Sequence, residues 1–163
     1  MKEIMEKLFF AMLLTCSFSA LADYSGIVVG VTDGDTISVL DSGKVQHKIR
    51  LSGIDAPEKK QAFGMQSKKS LSDLVINKNV AVQSDKKDRY GRELGKILVG
   101  DVDINLEQIK SGMAWHYKKY ERTQSLEDRV NYGYAEDMAR AMKHGLWSDD
   151  KQIPPWDFRK GKR

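Results

Sequence analysis

The stretch V-Q-H-K-I-R-L-S-G-I-D-A-P-E, from Val45 to Glu58, runs from a predicted strand into a densely charged turn. Apolar residues at alternate positions predict a strand from Val45 to Leu51, and the glycine that follows favours a turn. Arg50, Asp55 and Glu58 bring three charges together around this turn. Turn formation and helix capping account for each charge separately, but not for all of them at one place. We therefore interpret the segment as part of a functional site at the end of a strand.

Two further strands are predicted before this segment. Gly26 to Val31 and Thr36 to Leu40 are rich in valine and isoleucine, and the T-D-G-D loop at 32–35 separates them. The D-S-G-K sequence at 41–44 is typical of a hairpin turn into the strand at Val45. The three strands are therefore expected to form an antiparallel meander.

The middle of the chain completes a barrel pattern. Apolar residues recur at helical spacing from Gln61 to Asn77, which predicts an amphipathic helix packed on the sheet. Two strands follow, Val80 to Gln83 and Leu94 to Val99, joined by a polar loop at 85–92. The chain of 163 residues is long enough for one such domain. Five short strands with an inserted helix predict an α+β fold, a five-stranded Greek-key barrel of the OB type.

Two more helices are predicted after the barrel strands. A short helix from about Asn105 to Ser111 is expected to end at Gly112 in a left-handed cap. The last helix is expected to begin near Ser125, where S-x-x-D has capping-box spacing. We expect the buried stripe of this last helix to consist of Leu126, Val130, Tyr134, Met138 and Met142. The basic end of the chain is expected to be a solvated tail.

The first 22 residues have the pattern of a secretory signal peptide. Lysines precede an almost wholly apolar run from Leu8 to Phe18, and small residues follow it, so cleavage is expected after Ala22. A membrane anchor is the weaker alternative, because a spanning helix needs ~20 apolar residues, and lipidation at Cys16 is a second alternative. Cys16 is the single cysteine. The domain at 23–163 is thus expected to be exported without disulfides, to a periplasm or to the medium.

Asp35 and Asp55 are candidate metal ligands. Taken alone, D-G-D at 33–35 is typical of a turn. In an antiparallel meander, however, Asp35 at the start of the second strand would lie beside Asp55, just past the end of the third. Two carboxylates and a turn carbonyl such as that of Ala56 are an incomplete oxygen shell, which suits Ca²⁺ completed by water and substrate. The histidines lack the spacing of zinc ligands, and the aspartates do not fit an EF-hand loop.

Arg50 and Arg92 are candidate phosphate ligands. Arg92 alone would be an ordinary exposed charge in a hairpin. Two guanidinium groups together could clamp one phosphate, because their planar forks match its oxygens. A metal, a carboxylate base such as Glu58 and two arginines are the parts that phosphodiester hydrolysis needs. The formal net charge of +4 also suits a polyanionic partner.

Aromatic and cationic residues alternate from Trp115 to Tyr120. Trp115, Tyr117 and Tyr120 could stack on the bases of a single strand while the lysines between them pair with phosphates. Burial of Trp115 in the core is an equally good alternative.

Four motifs, in this order along the chain, resemble those of the thermonuclease family, the staphylococcal-nuclease-like calcium-dependent nucleases. They are D-G-D-T at 33–36, R-L-S-G-I-D-A-P-E at 50–58, D-R-Y-G-R at 88–92 and G-L-W-S at 145–148. The resemblance implies a five-stranded OB barrel with three α-helices. It also implies hydrolysis of DNA and RNA to products that end in a 3′-phosphate.

The resemblance assigns roles to the residues of the opening segment. Asp35 and Asp55 would bind calcium together with the carbonyl of Ala56. Glu58 would position or deprotonate the attacking water, and Arg50 would bind the phosphate and its developing charge. Ala56 stands where the best-known member has a threonine, and the connection after Glu58 is shorter than in that enzyme.

The remaining roles fall on the later motifs. Arg92 would act at the phosphate on the leaving-group side, and Tyr90 would contact a terminal phosphate of the nucleotide. The aromatic pair that stacks on the base in the family has no clean counterpart, and Tyr120 is a candidate for it.

Two other hypotheses remain beside a monomeric, calcium-dependent nuclease. A non-catalytic OB module that binds single-stranded nucleic acid would use the barrel and the aromatic residues, but it has no need for both aspartates and Glu58. A calcium-stabilised exported domain unconnected with nucleic acid would leave Arg50 and Arg92 without a purpose.

Overall fold

Five strands close into a barrel, and helices and short strands flank it. The computed structural model describes residues 23–161. The strands are β1 (Tyr24–Asp33), β2 (Thr36–Asp41), β3 (Gln46–Leu51), β4 (Ile54–Asp55), β5 (Asn79–Lys87), β6 (Glu93–Val99), β7 (Val102–Asp103) and β8 (Trp115–His116). The α-helices are α1 (Gly64–Val75), α2 (Ile104–Lys110), α3 (Leu126–Ala141) and α4 (Pro155–Phe158), and 3₁₀ turns span Lys118–Thr123 and Gly145–Ser148.

The barrel is antiparallel around most of its circumference and closes through one parallel pair. The strand order is β3-β2-β1-β5-β6, and β3 pairs in parallel with β6. β7 continues the sheet beyond β6, while β4 and β8 form a separate two-stranded ladder. The predicted α+β fold with a five-stranded OB-type barrel is therefore confirmed.

Alternate strand residues fill the barrel with branched aliphatic side chains. Ile37, Ile49 and Leu51 are at most 1% exposed, and Leu71 of α1 packs into the same core. Burying such a side chain stabilises the fold by about 1.5–3 kcal/mol. Because successive strand residues point to opposite faces, Arg50 between two core residues faces away from the barrel interior.

The first helix begins at Gly64 rather than at Gln61. Phe63, before it, has a left-handed φ of 63°. A Cβ at Gly64 would lie 1.9 Å from the carbonyl oxygen of Glu58, so only glycine fits against that turn. The residues between 58 and 63 are therefore a tight turn packed under the helix start, not a first helical turn.

Two predicted helix boundaries are confirmed. Gly112, just after α2, has a φ of 67°, as the left-handed stop requires. The hydroxyl oxygen of Ser125 accepts a hydrogen bond from the backbone N–H of Asp128 at 3.0 Å, so Ser125 caps α3.

The predicted buried stripe of the last helix is wrong. The buried residues of α3 are Tyr132, Ala135, Glu136 and Ala139. The predicted stripe is exposed at Leu126, Val130, Tyr134 and Met142, and half-buried at Met138.

Polar partners and small side chains decide which face of α3 is buried. The Tyr132 hydroxyl donates to Asp103 at 3.0 Å, and Glu136 accepts the backbone N–H of His116. The small side chains of Ala135 and Ala139 are buried on the same face. Hydrophobicity alone could not predict this, because two of the buried positions carry polar groups whose partners include residues outside the helix, such as Asp103 and His116.

The predicted signal peptide at 1–22 lies outside the residues that the structure describes. Within residues 23–161, no helix combines the length and hydrophobicity needed to cross a membrane.

A charged cluster joins β3 to its neighbours on the outside of the barrel. His47 lies 2.9 Å from Asp41 through Nε2 and 2.9 Å from Glu93 through Nδ1. The Tyr24 hydroxyl donates to Glu93 at 2.5 Å. The hydrogen bonds to Asp41 and Glu93 raise the pKa of His47. The hydrogen bond with His47 lowers the pKa of Asp41, and burial of Glu93 is outweighed by Tyr24 and His47, so its pKa is also lowered.

We predict that His47→Gln destabilises the protein most between about pH 4.5 and 6.5, the ordinary pKa values of Glu93 and His47. A histidine with a raised pKa stabilises the fold fully below its unfolded pKa, and this contribution is lost as pH rises through the folded value. Carboxylates with lowered pKa values stabilise the fold at pH values above their unfolded pKa. This stabilisation is lost as pH falls through the folded pKa. Urea unfolding at a series of pH values measures the difference.

The exposed His144 offers a matched control. His144→Gln is expected to change stability little across the same pH series. A loss of stability in His47→Gln that is constant from pH 4.5 to 9 would contradict the charged pairing.

Candidate functional site

One open cleft of about 1400 Å³ contains every residue that the sequence singled out for a site. Its walls are the turn between β1 and β2, the turn after β3, the β5–β6 hairpin, the segment 115–125 and the C-terminal helix α4. The predicted site residues that line it are Asp35, Arg50, Asp55, Ala56, Glu58, Tyr90, Arg92 and Tyr120.

Arg50 joins the two aspartates at the floor of the cleft. Its Nη1 lies 3.1 Å from Oδ2 of Asp35, and its Nη2 lies 2.7 Å from Oδ1 of Asp55. The β2–β3 register pairs Thr36 with Arg50, which places the turn before β2 beside the arginine. Asp35 is 5% and Asp55 1% exposed. The two carboxylates expected to meet across the meander thus share one guanidinium group.

The turn that carries Asp35 is fixed by backbone contacts on all sides. The backbone N–H of Ala56 donates to Oδ2 of Asp35 at 2.8 Å, and that of Leu51 donates to the Asp35 carbonyl at 2.8 Å. A Cβ at Gly34 would lie 1.9 Å from the hydroxyl of Ser67, so a larger residue does not fit. Asp33 stabilises the turn, because its carboxylate accepts a hydrogen bond from the backbone N–H of Asp35 at 3.2 Å. The Asp35 carboxylate is thus held in place by Ala56, Thr36 and Arg50 where it lines the cleft.

The buried charges of Asp35 and Arg50 shift each other's pKa values. Burial raises the pKa of Asp35, and Arg50 acts in the opposite direction. Burial lowers the pKa of Arg50, but Asp35 and Asp55 outweigh it, so the net shift is upward. Removing Arg50 would take the guanidinium partner from the buried carboxylate of Asp35.

Glu58 lies at the rim, at the end of the same turn. Its carboxylate is partly exposed and receives a 2.8 Å hydrogen bond from Nη1 of Arg159. Its backbone N–H donates to the side chain of Gln61 at 3.1 Å. Glu58 therefore faces the cleft beside the aspartates but does not share Arg50 with them.

Arg159 is a site residue that the sequence interpretation missed. Its Nη2 lies 2.7 Å from Oδ2 of Asp55, and its Nη1 lies 3.2 Å from Oδ1 of the same carboxylate. The expectation of a solvated tail is wrong here, because α4 folds the chain end back over the cleft. The signal was the sequence P-P-W-D-F at 154–158, since proline before an aromatic pair favours a short docked helix over a solvated tail.

Arg92 and Tyr90 lie in the hairpin wall of the cleft and do not join the Arg50 network. Arg92 pairs with Asp88, with Nη2 2.7 Å from its carboxylate. The ring of Tyr90 is exposed and lies 5.6 Å from the Arg92 guanidinium carbon and 4.8 Å from that of Arg89. This wall therefore presents two cations and an aromatic face to the cleft.

The aromatic segment divides between core and cleft. Trp115 is buried against Trp147, with ring centroids 4.3 Å apart, so the core alternative holds for this residue. Tyr117 stacks on Trp156 of α4 at 5.4 Å with an angle of 16° between the rings, and Tyr120 meets Tyr117 edge-on at 5.1 Å. Three rings, one of them from α4, therefore form the wall opposite the hairpin.

The donor set of the floor consists of oxygen alone. Within residues 23–161, no group of three or more histidine, cysteine or acidic side chains is arranged to hold a metal ion. Asp35 and Asp55 supply two carboxylates at the floor of an open cleft. Calcium accepts such a set, because carbonyls and water complete its six to eight ligands, whereas zinc prefers nitrogen and sulfur.

The chain matches a known protein family over most of its length. The model of the family described as "Staphylococcal nuclease homologue" matches residues 48–149. The matched range includes Arg50, Asp55, Glu58 and Arg92, whereas Asp35 and Arg159 lie outside it.

Two of the following three similar proteins carry nuclease names. The chain is 47% identical over 133 residues to an "Uncharacterized endonuclease" of Haemophilus influenzae, covering 82% of this chain and 71% of that protein. It is 38% identical over 162 residues to a "Micrococcal nuclease" of Shigella flexneri, covering 94% of this chain and 90% of that protein. It is also 36% identical over 156 residues to "Protein ParB" of Escherichia coli, covering 90% of this chain and 85% of that protein.

Proposed function

The chain belongs to the family of staphylococcal nuclease homologues, and we propose that it is a calcium-dependent nuclease. It would hydrolyse the phosphodiester bonds of DNA and RNA and leave 3′-phosphate ends. The observation that carries this proposal is the Arg50 guanidinium between two buried aspartates, with Glu58 on the same turn. The names of the endonuclease and micrococcal nuclease relatives support it.

The cleft suits a polyanionic chain. Its rim carries cationic side chains on both sides, namely Lys86, Arg89, Lys118, Lys119 and Lys160. Phosphate contacts of this kind contribute affinity without regard to sequence. The wall formed by Tyr117, Tyr120 and Trp156 offers ring faces and edges to unpaired bases. These features fit a nuclease that accepts both DNA and RNA.

The proposed mechanism is an attack of water on the phosphorus atom. Calcium held by Asp35, Asp55 and the Ala56 carbonyl would supply Lewis-acid stabilisation of the phosphate charge. Glu58 takes a proton from the water as the new oxygen–phosphorus bond forms. Arg50 donates hydrogen bonds to the phosphate oxygens as their charge grows.

Residues of the β5–β6 hairpin are proposed to contact the phosphate on the side of the leaving group. The bond between phosphorus and the 5′-oxygen breaks, the 5′-oxygen takes a proton from solvent water and leaves as a hydroxyl, and the phosphate stays on the 3′-oxygen. Arg92 would contact the phosphate on this side, and Tyr90 would contact a terminal phosphate. Arg92 would have to exchange part of its pairing with Asp88 for the phosphate.

The signal-peptide pattern at 1–22 supports an exported protein, periplasmic or secreted, whose nuclease domain is residues 23–163 and acts as a monomer. A role confined to binding single strands remains the second candidate, because the aromatic wall would serve it as well.

We predict that the purified protein cleaves single-stranded DNA and RNA when calcium is added and stops when a chelator is added. The products should be extended by a polymerase only after treatment with a phosphatase, because a 3′-phosphate blocks extension. Gel electrophoresis of labelled strands measures both properties. Strand binding without cleavage in calcium would sink the nuclease proposal in favour of the binding module.

We also predict that Glu58→Gln lowers kcat by about 10²–10⁴-fold, because glutamine cannot accept the proton of the attacking water. The exposed Glu127 on α3 provides a matched control, and Glu127→Gln should retain wild-type turnover. Glu58 is a cleaner test than Arg50, whose removal would also take the guanidinium partner from the buried Asp35 and one of the two guanidinium partners from Asp55. Wild-type turnover in Glu58→Gln would remove the role of this residue as the base.

A further inference from the structure

Arg159 holds both of the carboxylates that flank the centre of the cleft. Its guanidinium contacts both oxygens of Asp55, at 2.7 and 3.2 Å, and one oxygen of Glu58 at 2.8 Å. Asp55 is also bound by Arg50, so two guanidinium groups share one carboxylate that is 1% exposed. Bidentate contacts of this kind are among the stronger ion pairs in proteins.

The position of Arg159 is built into the fold of the chain end. Trp156 stacks on Tyr117 at 5.4 Å and meets Trp115 edge-on at 5.6 Å. The backbone N–H of Arg159 donates to the carbonyl of Pro155 at 3.0 Å. α4 is therefore fastened to the aromatic wall, and its last turn points the arginine at the carboxylates.

A second fastening connects the same segment to the turn of Glu58. The side-chain amide of Gln61 donates to the carbonyl of Ile153, and its oxygen accepts the backbone N–H of Glu58 at 3.1 Å. One glutamine thus connects the turn that carries the proposed base to the segment that leads into α4. Gln61 and the aromatic wall together fix the position of α4, and so of Arg159, relative to Asp55.

The charges of the cluster favour either a divalent cation or this arginine over both together. The three carboxylates of Asp35, Asp55 and Glu58 face the two guanidinium groups of Arg50 and Arg159. A divalent cation added to this set would leave an excess positive charge in a partly buried space. A divalent cation in place of the Arg159 guanidinium would bring the set to neutrality, and it would use the Asp55 oxygens that Arg159 occupies.

We propose that Arg159 competes with the divalent cation for Asp55, so that the C-terminal helix sets the calcium affinity of the site. The inference rests on the proposed calcium site at Asp35 and Asp55. Arg159 is 42% exposed, so its side chain can swing toward solvent without disturbing α4. A displaced Arg159 guanidinium would remain at the cleft, where it could pair with a phosphate of the substrate.

The test is a calcium titration of the wild type and of Arg159→Ala by isothermal calorimetry, without nucleic acid. The variant is expected to bind calcium about tenfold more tightly, because the competing charged hydrogen bonds are gone. A merely structural role predicts the opposite sign, since a disturbed site binds calcium more weakly. Arg159→Gln, which can still donate one hydrogen bond to Asp55, should give an intermediate affinity and serves if the alanine variant does not fold.

The neighbouring Lys160 provides the control for charge alone. Lys160→Ala removes one positive charge from the exposed end of the same segment, and its calcium affinity should stay within about twofold of wild type. Equal effects of both substitutions, or an unchanged or weaker affinity in Arg159→Ala, would overturn the competition while leaving the nuclease proposal standing. No calcium binding by any of these proteins would overturn the proposed calcium site and the competition together.

Thermal unfolding gives a second readout that does not depend on activity. Arg159→Ala should have a lower Tm than wild type without calcium, because Asp55 and Glu58 lose a partner. Its Tm should rise more than that of wild type when calcium is added, since a tighter ligand stabilises more at the same concentration. Equal calcium-induced rises in the two proteins would argue against competition.

Discussion

The site depends on one buried guanidinium group that two buried carboxylates share. Arg50 contacts Asp35 at 3.1 Å and Asp55 at 2.7 Å, and neither aspartate has more than 5% of its surface exposed. Placing two carboxylates together away from water costs free energy unless a cation compensates them. The same arrangement concentrates negative charge where a divalent cation can bind and positive charge where a phosphate can bind. The contacts of Arg50 with Asp35 and Asp55 therefore stabilise the fold and also form the proposed site.

The barrel is what makes this arrangement possible. The β2–β3 register places Thr36 opposite Arg50, and the turns on either side bring the two aspartates to one end of the barrel. Alternation along β3 buries Ile49 and Leu51 while turning Arg50 outward to the cleft. A shift of one residue in this register would bury the arginine and expose the core, so the aliphatic core and the site specify the same strand pairing.

Local sequence signals predicted the parts of the site that depend on neighbouring strands. Glycine and aspartate turns, strand alternation and the capping pattern of Ser125 are short-range signals, and the structure contains all of them. The closeness of Asp35 and Asp55 followed from the antiparallel pairing of consecutive strands. The buried face of α3 could not be predicted in this way, because Tyr132 and Glu136 are buried against Asp103 and His116, which lie on other elements of the fold. Arg159 was missed for the same reason, since its contact with Asp55 joins residues far apart in the sequence. The roles of Tyr90, Arg92 and Tyr120 stay predictions, because these residues line the cleft without touching its floor.

We propose that Asp35 and Asp55 form a calcium site that Arg50 supports and for which Arg159 competes. Crystals grown with calcium, with anomalous diffraction data to locate the ion, test it most directly. We expect an ion at about 2.3–2.6 Å from carboxylate oxygens of both aspartates. We also expect that Arg50 stays in place and that the Arg159 guanidinium moves out of hydrogen-bond distance of Asp55. An ion bound elsewhere in the cleft, or an Arg159 guanidinium that remains on Asp55 beside the bound ion, would contradict it.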